Sequence, residues 1–224
     1  MNSNRKSYSW QRVNCSYEKG LYMRIERVES LDKRKCKVFT DEDFAFLLYN
    51  GELEKYGVCE GAVLEERTER ELLDLLSRRA HERALNLLKV QDRTEGEMCR
   101  RLFQDGYPDS IVQETIGFLQ EYHFVDDARY AANYLQVHGK RKSQAELKLY
   151  LQRKGISREI IREQLEEREH DSGEAIRVLL EKKHYRAGET APEEEKKIIA
   201  YLMRRGFSWE DIRREMKEQE DALS

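Results

Sequence analysis

The stretch Ser143–Gln164, which reads SQAELKLYLQRKGISREIIREQ, has the pattern of two helices joined by a tight turn. It begins with Ser143 and Glu146, the S-x-x-E pattern of a capping box, in which each side chain accepts a hydrogen bond from the other residue's backbone N–H. Gly155 can adopt the left-handed conformation that ends a helix, and Ser157 can cap the next one. Apolar and aromatic residues share one face of each helix: Leu147, Tyr150 and Leu151, then Ile160, Ile161 and Leu165.

This helix–turn–helix unit occurs three times. Gly155 aligns with Gly106 and Gly206, at spacings of 49 and 51 residues. Four columns around the glycine are apolar or aromatic in every copy: Leu102, Leu151 and Leu202; Tyr107, Ile156 and Phe207; Val112, Ile161 and Ile212; Ile116, Leu165 and Met216. Further capping boxes are predicted at Thr94 with Glu97 and, about one turn earlier in its copy, at Thr190 with Glu193. Recurrence of apolar positions at a fixed period indicates a repeat array.

Each repeat is predicted to contain three helices. The helical patterns assign residues 65–123 to repeat 1, residues 124–170 to repeat 2 and residues 171–224 to repeat 3. In the second repeat, Asp126 is the predicted cap of a helix that runs to His138. The predicted fold is therefore mainly α, with tandem three-helix repeats in an elongated, curved array.

A small β-rich extension, residues 21–64, is predicted before the array. Side chains alternate from Leu21 to Glu26, and strands are predicted at Cys36–Thr40 and Phe44–Tyr49, which together form an antiparallel meander. A short helix, Glu52–Tyr56, follows. Residues 1–20 are polar and show no period, so they are interpreted as a disordered tail.

Charge is abundant and segregated. Charged residues make up 38% of the 224-residue chain and hydrophobic residues 39%, a balance that favours an extended array with a large surface. The net charge of −3 conceals blocks of opposite sign: residues 41–74 hold eleven Asp/Glu against three Lys/Arg, whereas residues 139–162 hold eight Lys/Arg against two Glu. Such a basic block is either a solvated helix face or a contact for a polyanion or an acidic protein surface.

Several classes of function are disfavoured. The four cysteines form no C-x-x-C pattern and have no histidine at ligand spacing, so no metal site or disulfide is expected. No phosphate-binding G-x-x-x-x-G-K-S/T loop occurs, and the pair Asp126-Asp127 is interpreted as a helix cap and a partner of the helix dipole. No catalytic residue and no cofactor is therefore predicted. No apolar run approaches 18 residues and the N-terminus lacks a signal core, so a cytoplasmic protein without membrane contact is expected.

Several motifs resemble those of the RecX family, bacterial regulators of the RecA recombinase. The F-V-D-D-x-x-Y-A run at Phe124–Ala131, H-G-K-R-K-S at His138–Ser143 and L-x-R-K-G-I at Leu151–Ile156 carry the resemblance. A-L-N-L-L at Ala84–Leu88 and L-x-x-x-G-Y at Leu102–Tyr107 are similar to the first repeat of that family. The third repeat departs from the pattern by an insertion at Arg186–Ala191.

The resemblance implies a non-enzymatic protein that binds the groove of the RecA filament on single-stranded DNA, and a monomer is expected. It also implies an effect on the filament: limited growth or promoted disassembly, which lowers ATPase, strand-exchange and coprotease activity in DNA repair and the SOS response. Basic residues near the helix ends are the candidate contacts with acidic filament patches or with the DNA backbone. They are Lys140, Arg141, Lys142, Arg153, Lys154, Lys182, Lys183, Arg204 and Arg205.

Two other functions remain open from the sequence. The turn at Lys154–Ile161 resembles the joint of a helix-turn-helix DNA-binding protein, although the second helix ends in E-E-R-E, which is unfavourable beside phosphates. A general scaffold, like other helical repeat proteins, also fits the array and predicts no preference for a filament. Binding to bare duplex, compared with binding to a RecA filament, separates these functions.

Overall fold

The structure of the protein, a computed structural model, describes residues 23–41, 45–167 and 172–222. The chain divides into two compact units, one up to Leu72 and one from Leu73 onward. The predicted tail, residues 1–20, lies outside the described residues, as does Leu21.

The first unit contains the predicted meander. Strands β1 (Ile25–Ser30), β2 (Lys35–Thr40) and β3 (Ala45–Tyr49) pair antiparallel in that order, and helix α1 (Asn50–Tyr56) follows and ends at Gly57, where φ is +61°. The predicted alternation holds in the described part of the Leu21–Glu26 stretch, where Ile25 is buried and Arg24 and Glu26 are exposed, and alternate side chains of β2 and β3 are buried as well. Among the described residues the first strand begins at Ile25, and Arg24 before it forms an isolated antiparallel bridge with Val63.

Nine helices follow among the described residues, three for each repeat. Repeat 1 contains α2 (Glu66–Leu88), α3 (Glu95–Gln104) and α4 (Asp109–Glu121). Repeat 2 contains α5 (Asp127–His138), α6 (Gln144–Lys154) and α7 (Arg158–Glu166), with a 3₁₀ turn at Gly139–Arg141. Repeat 3 contains α8 (Gly173–Lys182), α9 (Pro192–Arg204) and α10 (Trp209–Asp221). The described helices include none that is both long enough and apolar enough to span a membrane.

Each repeat buries its own apolar core. The first core includes Met98, Leu102 and Val112, the second Leu147, Leu151 and Ile161, and the third Ile198, Leu202 and Ile212. Of the twelve residues in the four predicted columns, ten are buried, and the other two, Tyr107 and Leu165, are half-buried. The three aligned glycines share the left-handed conformation, with φ of +84°, +95° and +88°. The predicted tandem three-helix fold is confirmed.

Two of the three predicted capping boxes are confirmed, at Thr94 with Glu97 and at Ser143 with Glu146. The third prediction, at Thr190 with Glu193, is wrong. Helix α9 begins one residue later than that box requires, with Ala191 at the cap position and Pro192 as the first helical residue. The Thr190 hydroxyl instead accepts the Arg186 N–H at 2.9 Å and closes the preceding turn.

Candidate partner-binding surface

The capping box of repeat 1 also holds the next repeat. The Thr94 hydroxyl, besides accepting the Glu97 N–H, donates to the Lys154 carbonyl at the end of α6, at 2.6 Å. The Glu97 carboxylate lies 2.6 Å from the Lys154 ammonium. Burial alone would lower the pKa of Lys154, but the hydrogen bond and the charge of Glu97 outweigh it and raise that pKa. We call Thr94, Glu97 and Lys154 the first clamp.

The same arrangement joins repeats 2 and 3. The Ser143 hydroxyl donates to the Arg205 carbonyl at 2.5 Å, and the Arg205 guanidinium contacts Glu146 Oε1 at 2.8 and 3.0 Å. The hydrogen bond to Glu146 raises the pKa of Arg205 further, so this cation is permanently charged. We call Ser143, Glu146 and Arg205 the second clamp. One box thus caps its own helix and binds the C-terminal end of a helix in the following repeat.

Small residues permit this close approach. A Cβ atom on Gly155 would lie 3.0 Å from the Cα atom of Gly96, which is closer than ordinary van der Waals contact. In the second junction, the corresponding pair is Gly206 and Ala145, and a Cβ atom on Gly206 would collide with the Ala145 methyl group. The glycine that ends the helix therefore has a second role, because it also allows the two backbones to pack together.

Tyrosines support the clamp cations. Lys154 lies 5.5 Å from the ring centre of Tyr150, and Arg205 lies 5.8 Å from that of Tyr201 and donates to its hydroxyl at 3.0 Å. Both tyrosines are half-buried and stand five residues before the repeat glycine. The sequences YLQRKG at Tyr150–Gly155 and YLMRRG at Tyr201–Gly206 are almost identical, whereas repeat 1 reads RLFQDG. The helical pattern predicted Tyr150 as part of an apolar stripe and did not predict its contact with Lys154, although the shared motif is present in the aligned repeats.

Two more lysines lie on these tyrosines. The Lys142 ammonium donates to the Tyr134 hydroxyl at 2.6 Å and lies over the rings of Tyr134 and Tyr150, which stack on each other at 4.0 Å. The Lys183 ammonium lies 4.6 Å from the ring centre of Tyr201. Cation–π contact restricts both side chains without neutralising them.

The other five candidate cations are exposed. Lys140 lies 3.6 Å from Glu174, and both side chains are largely in solvent, so this pair contributes little to stability. Arg141, Arg153 and Arg204 project into solvent in repeats 2 and 3. Lys182 is also exposed and lines an open, polar pocket of repeat 3. The nine predicted residues thus separate into two clamp cations, two tyrosine-bound lysines and five exposed cations.

Both carboxylates of the Asp126-Asp127 pair accept backbone N–H groups. Asp126 accepts the Arg129 N–H at 2.8 Å and caps α5, as predicted. Asp127 is buried and accepts the N–H of Glu95 at 2.9 Å, so it serves the first turn of α3 in the neighbouring repeat. Desolvation raises the pKa of Asp127 to about 6 despite that hydrogen bond, and the nearby charges of Glu95, Asp126 and Glu97 add to the effect.

Comparison with known proteins assigns all three repeats to one family. Residues 80–119 match the model of the first three-helix domain of RecX, residues 126–165 the second and residues 171–216 the third. The regulatory protein RecX of Clostridium acetobutylicum is 27% identical over 203 residues, which are 87% of this chain and 95% of the relative. That of Clostridium tetani is 31% identical over 134 residues, 58% of this chain and 62% of the relative.

Solved structures show the same fold. A crystal structure of regulatory protein RecX matches 87% of this chain and 99% of its own, with a TM-score of 0.58 at 21% identity. RecX from Lactobacillus salivarius matches 65% of this chain and 97% of its own, with a TM-score of 0.56 at 22% identity.

Proposed function

Because the chain belongs to the RecX family of regulatory proteins, we propose that it binds the RecA filament on single-stranded DNA and lowers the activity of that recombinase. The observation that carries the proposal is the match of all three repeats, in order, to the three RecX domains. The affected activities are ATP hydrolysis, strand exchange and coprotease function, in DNA repair and the SOS response. In this proposal the protein acts in the cytoplasm as a monomer and catalyses no reaction itself.

The exposed cations of repeats 2 and 3 are the proposed contacts with the filament. Arg153 and Arg204 occupy equivalent positions, two residues before Gly155 and Gly206, and both point into solvent. Lys140 and Arg141 lie on the 3₁₀ turn before α6. The clamp cations Lys154 and Arg205, in contrast, are already paired with carboxylates. In this proposal Lys154 and Arg205 do not contact the filament. They hold the helix ends that carry Arg153 and Arg204 against the preceding repeat.

The test is a titration of the protein into RecA on single-stranded DNA, with ATP turnover as the readout. We expect turnover to fall at less than one protein per RecA molecule, and we expect no ATP hydrolysis by the protein alone. Unchanged turnover at equimolar protein would contradict the proposal, as would intrinsic ATPase activity that survives repurification.

A matched pair of variants tests the contact residues. Arg153→Gln/Arg204→Gln removes two surface charges that form no ion pair with the described residues, whereas Arg67→Gln/Arg70→Gln removes two exposed arginines of α2 that pair with Glu71 and Glu66. We expect only the first variant to weaken the effect on RecA, while both keep the wild-type melting temperature within the small range typical of surface substitutions. An equal loss of the effect on RecA turnover in the two variants would show that this effect depends on the total charge of the protein and not on Arg153 and Arg204.

A further inference from the structure

Repeat 1 carries a group of aromatic rings on its surface. We define the aromatic cluster as His81 of α2, Phe118 of α4, and Tyr122 and Phe124 in the turn that follows α4. The ring centroids are 4.3 Å apart for His81 and Phe118, 4.9 Å for Phe118 and Tyr122, and 6.4 Å for Tyr122 and Phe124. Tyr122 is 59% exposed and Phe124 46%, so the outer half of the cluster faces solvent.

The repeat fold does not require these rings. When the repeats are aligned on their glycines, the other two have acidic or small residues in place of the three rings after Gly106: Glu167 and Glu218 for Phe118, Asp171 and Ala222 for Tyr122, and Gly173 and Ser224 for Phe124. Neighbouring exposed aromatic side chains that the fold does not need indicate an interaction surface.

Two exposed carboxylates flank the cluster on α4. Glu114 lies one turn before Phe118 and accepts the hydroxyl of Ser77, on α2, at 2.6 Å. Glu121 lies three residues after Phe118, which places it on the same side of the helix. Helix α4 contains three Asp/Glu and no Lys or Arg, so every full charge that this helix presents beside the rings is negative.

Rings and carboxylates together suit a cation. The centroids of Phe118, Tyr122 and Phe124 are at most 6.4 Å apart, so one cation can lie within about 6 Å of all three, the range over which a ring attracts a cation. A guanidinium fits better than an ammonium, because it is planar, stacks on rings and binds carboxylates with two N–H groups. The Arg129 guanidinium does not serve here as that cation, since it donates to the His123 carbonyl at 3.1 Å.

We propose that the aromatic cluster, together with Glu114 and Glu121, binds an arginine-bearing basic segment of a protein partner. Charge complementarity favours a basic segment, because the carboxylates beside the rings attract guanidinium groups and repel phosphates. The inference goes beyond the proposed function, which rests on the exposed cations of repeats 2 and 3. This surface has the opposite charge, and its test omits RecA.

The experiment measures the anisotropy of a fluorescein-labelled arginine–glycine decapeptide that is titrated with the full chain. Tyr122→Leu/Phe124→Leu keeps apolar side chains but removes both exposed rings. The control, Phe103→Leu/Trp209→Leu, removes two exposed rings of α3 and α10. We expect about a tenfold loss of affinity in the cluster variant alone, because the peptide loses its cation–π contacts there. Equal losses in the two variants, or no binding of the peptide by the wild type, would overturn the proposal.

A second pair of variants tests the carboxylates. Glu114→Gln/Glu121→Gln removes both charges and keeps an oxygen that can accept the Ser77 hydroxyl. The control, Glu60→Gln/Glu210→Gln, removes two exposed carboxylates elsewhere in the chain. We expect only the first variant to bind the peptide more weakly and with a shallower dependence on salt. Equal weakening in both variants would contradict a site at the cluster.

Changes in the peptide test the guanidinium. A peptide with citrulline in place of arginine keeps the planar shape but has no charge, so it should not bind measurably. A lysine–glycine peptide of the same length should bind more weakly than the arginine peptide, because an ammonium does not stack on rings. Equal binding of the arginine and citrulline peptides would overturn the proposal.

Two other occupants of the cluster are outcomes of the same test. Weaker binding of oligo(dT) by Tyr122→Leu/Phe124→Leu would mean that the rings stack on bases. A mass that rises with concentration in sedimentation, and that this variant abolishes, would mean that the rings bind a second copy of the chain. Either result would overturn the proposal. We expect thermal melts of every variant to match the wild type, because the substituted side chains are exposed; if the double variant melts early, Tyr122→Leu alone repeats the test at the more exposed ring.

Discussion

The first residues of α6 and of α9 occupy equivalent positions in successive repeats, yet only α6 binds a following repeat. In α6 the positions twelve, ten and nine residues before the repeat glycine are Ser143, Ala145 and Glu146, which form or border the second clamp. In α9 the same positions hold Glu194, Lys196 and Lys197, of which Lys197 pairs with Glu194 on the helix surface. The hydroxyl, the small side chain and the carboxylate are all replaced by long charged side chains.

This difference shows what a junction between repeats requires. The junction needs a hydroxyl to satisfy a carbonyl, a small residue to admit the next backbone and a carboxylate to pair with a cation. The start of α9 has none of these at the three positions and presents solvated charge instead, which disfavours association with other surfaces. The same logic applies to repeat 1, where Asp105 stands in place of the clamp cation and pairs with Arg83 at 2.6 Å.

The largest expected effect concerns the apolar column within the repeats. Leu151→Ala removes a fully buried side chain from repeat 2, which takes part in both clamps, and Leu202→Ala does the same in repeat 3, which takes part in one. Each change should lower the free energy of unfolding by about 2–5 kcal/mol, because it leaves a cavity. Unfolding in urea is followed by circular dichroism. We expect Leu151→Ala to lower the urea midpoint of a single transition shared by all repeats. We expect Leu202→Ala to produce a second transition at lower urea, in which repeat 3 unfolds first. Identical single transitions for both variants would show that a repeat with two clamps and a repeat with one clamp unfold with the same cooperativity.

The next effect concerns the close approach of backbones at the first junction. Gly155→Ala and Gly188→Ala both place a methyl group on a residue with positive φ, at +95° and +74°. That strain costs about 1–2 kcal/mol in each. Only the Gly155 methyl group would also press on Gly96, since nothing lies within 4 Å at Gly188. We expect thermal melts to show a larger loss for Gly155→Ala, and an equal loss would mean that the junction relaxes without cost.

A smaller effect distinguishes a clamped cap from an unclamped threonine. Ser143→Ala removes both a helix cap and the hydrogen bond to the Arg205 carbonyl, so it should cost between about 0.5 and 2 kcal/mol. Thr190→Ala removes only the hydroxyl that closes an exposed turn, and we expect a cost within about 0.5 kcal/mol. The measurement is the urea midpoint of unfolding. The dependence of the unfolding free energy on urea concentration should be the same for the wild type and both variants. A cost for Thr190→Ala that matches Ser143→Ala would contradict the comparison.

A last effect is a pH dependence at the junction of repeats 1 and 2, which appears only as a difference between two pH values. The pKa of Asp127 is raised to about 6 in the folded chain, above its value in the unfolded chain, so the folded state binds a proton that the unfolded state releases. The buried charge of Asp127 therefore lowers the free energy of unfolding at neutral pH. That free energy rises as the pH falls from about 6 to about 4, because the buried carboxylate becomes protonated.

The variant Asp127→Asn keeps an oxygen that can accept the Glu95 N–H but has no charge to bury. We expect the difference in unfolding free energy between wild type and Asp127→Asn to favour the variant more at pH 7 than at pH 4.5. Urea titrations at the two pH values measure that difference. A difference that does not change with pH would show that the carboxylate stays ionised throughout.

Local pattern was sufficient for most of the fold. The bounds of α6, the caps at Ser143 and Ser157, and the buried column of Leu102, Leu151 and Leu202 all follow from residues within one helix or one turn. The failed box at Thr190 shows the limit of such patterns. Its T-x-x-E spacing is correct, but Pro192 and the turn from Arg186 to Thr190 shift the start of α9 by one residue.

The sequence alone determined the repeats, the helices within them and the resemblance to a family, because these depend on residues that are close in the chain and on a period of about 50 residues. Only the tertiary structure decided what the basic residues contact. Lys154 and Glu97 are 57 residues apart, and Arg205 and Glu146 are 59 apart, yet each pair meets at hydrogen-bond distance. A cation in the last turn of a helix looks the same in sequence whether it faces solvent or a carboxylate of the preceding repeat. The distinction depends on how one repeat packs against the next, and that packing follows from the shape and charge of both surfaces together.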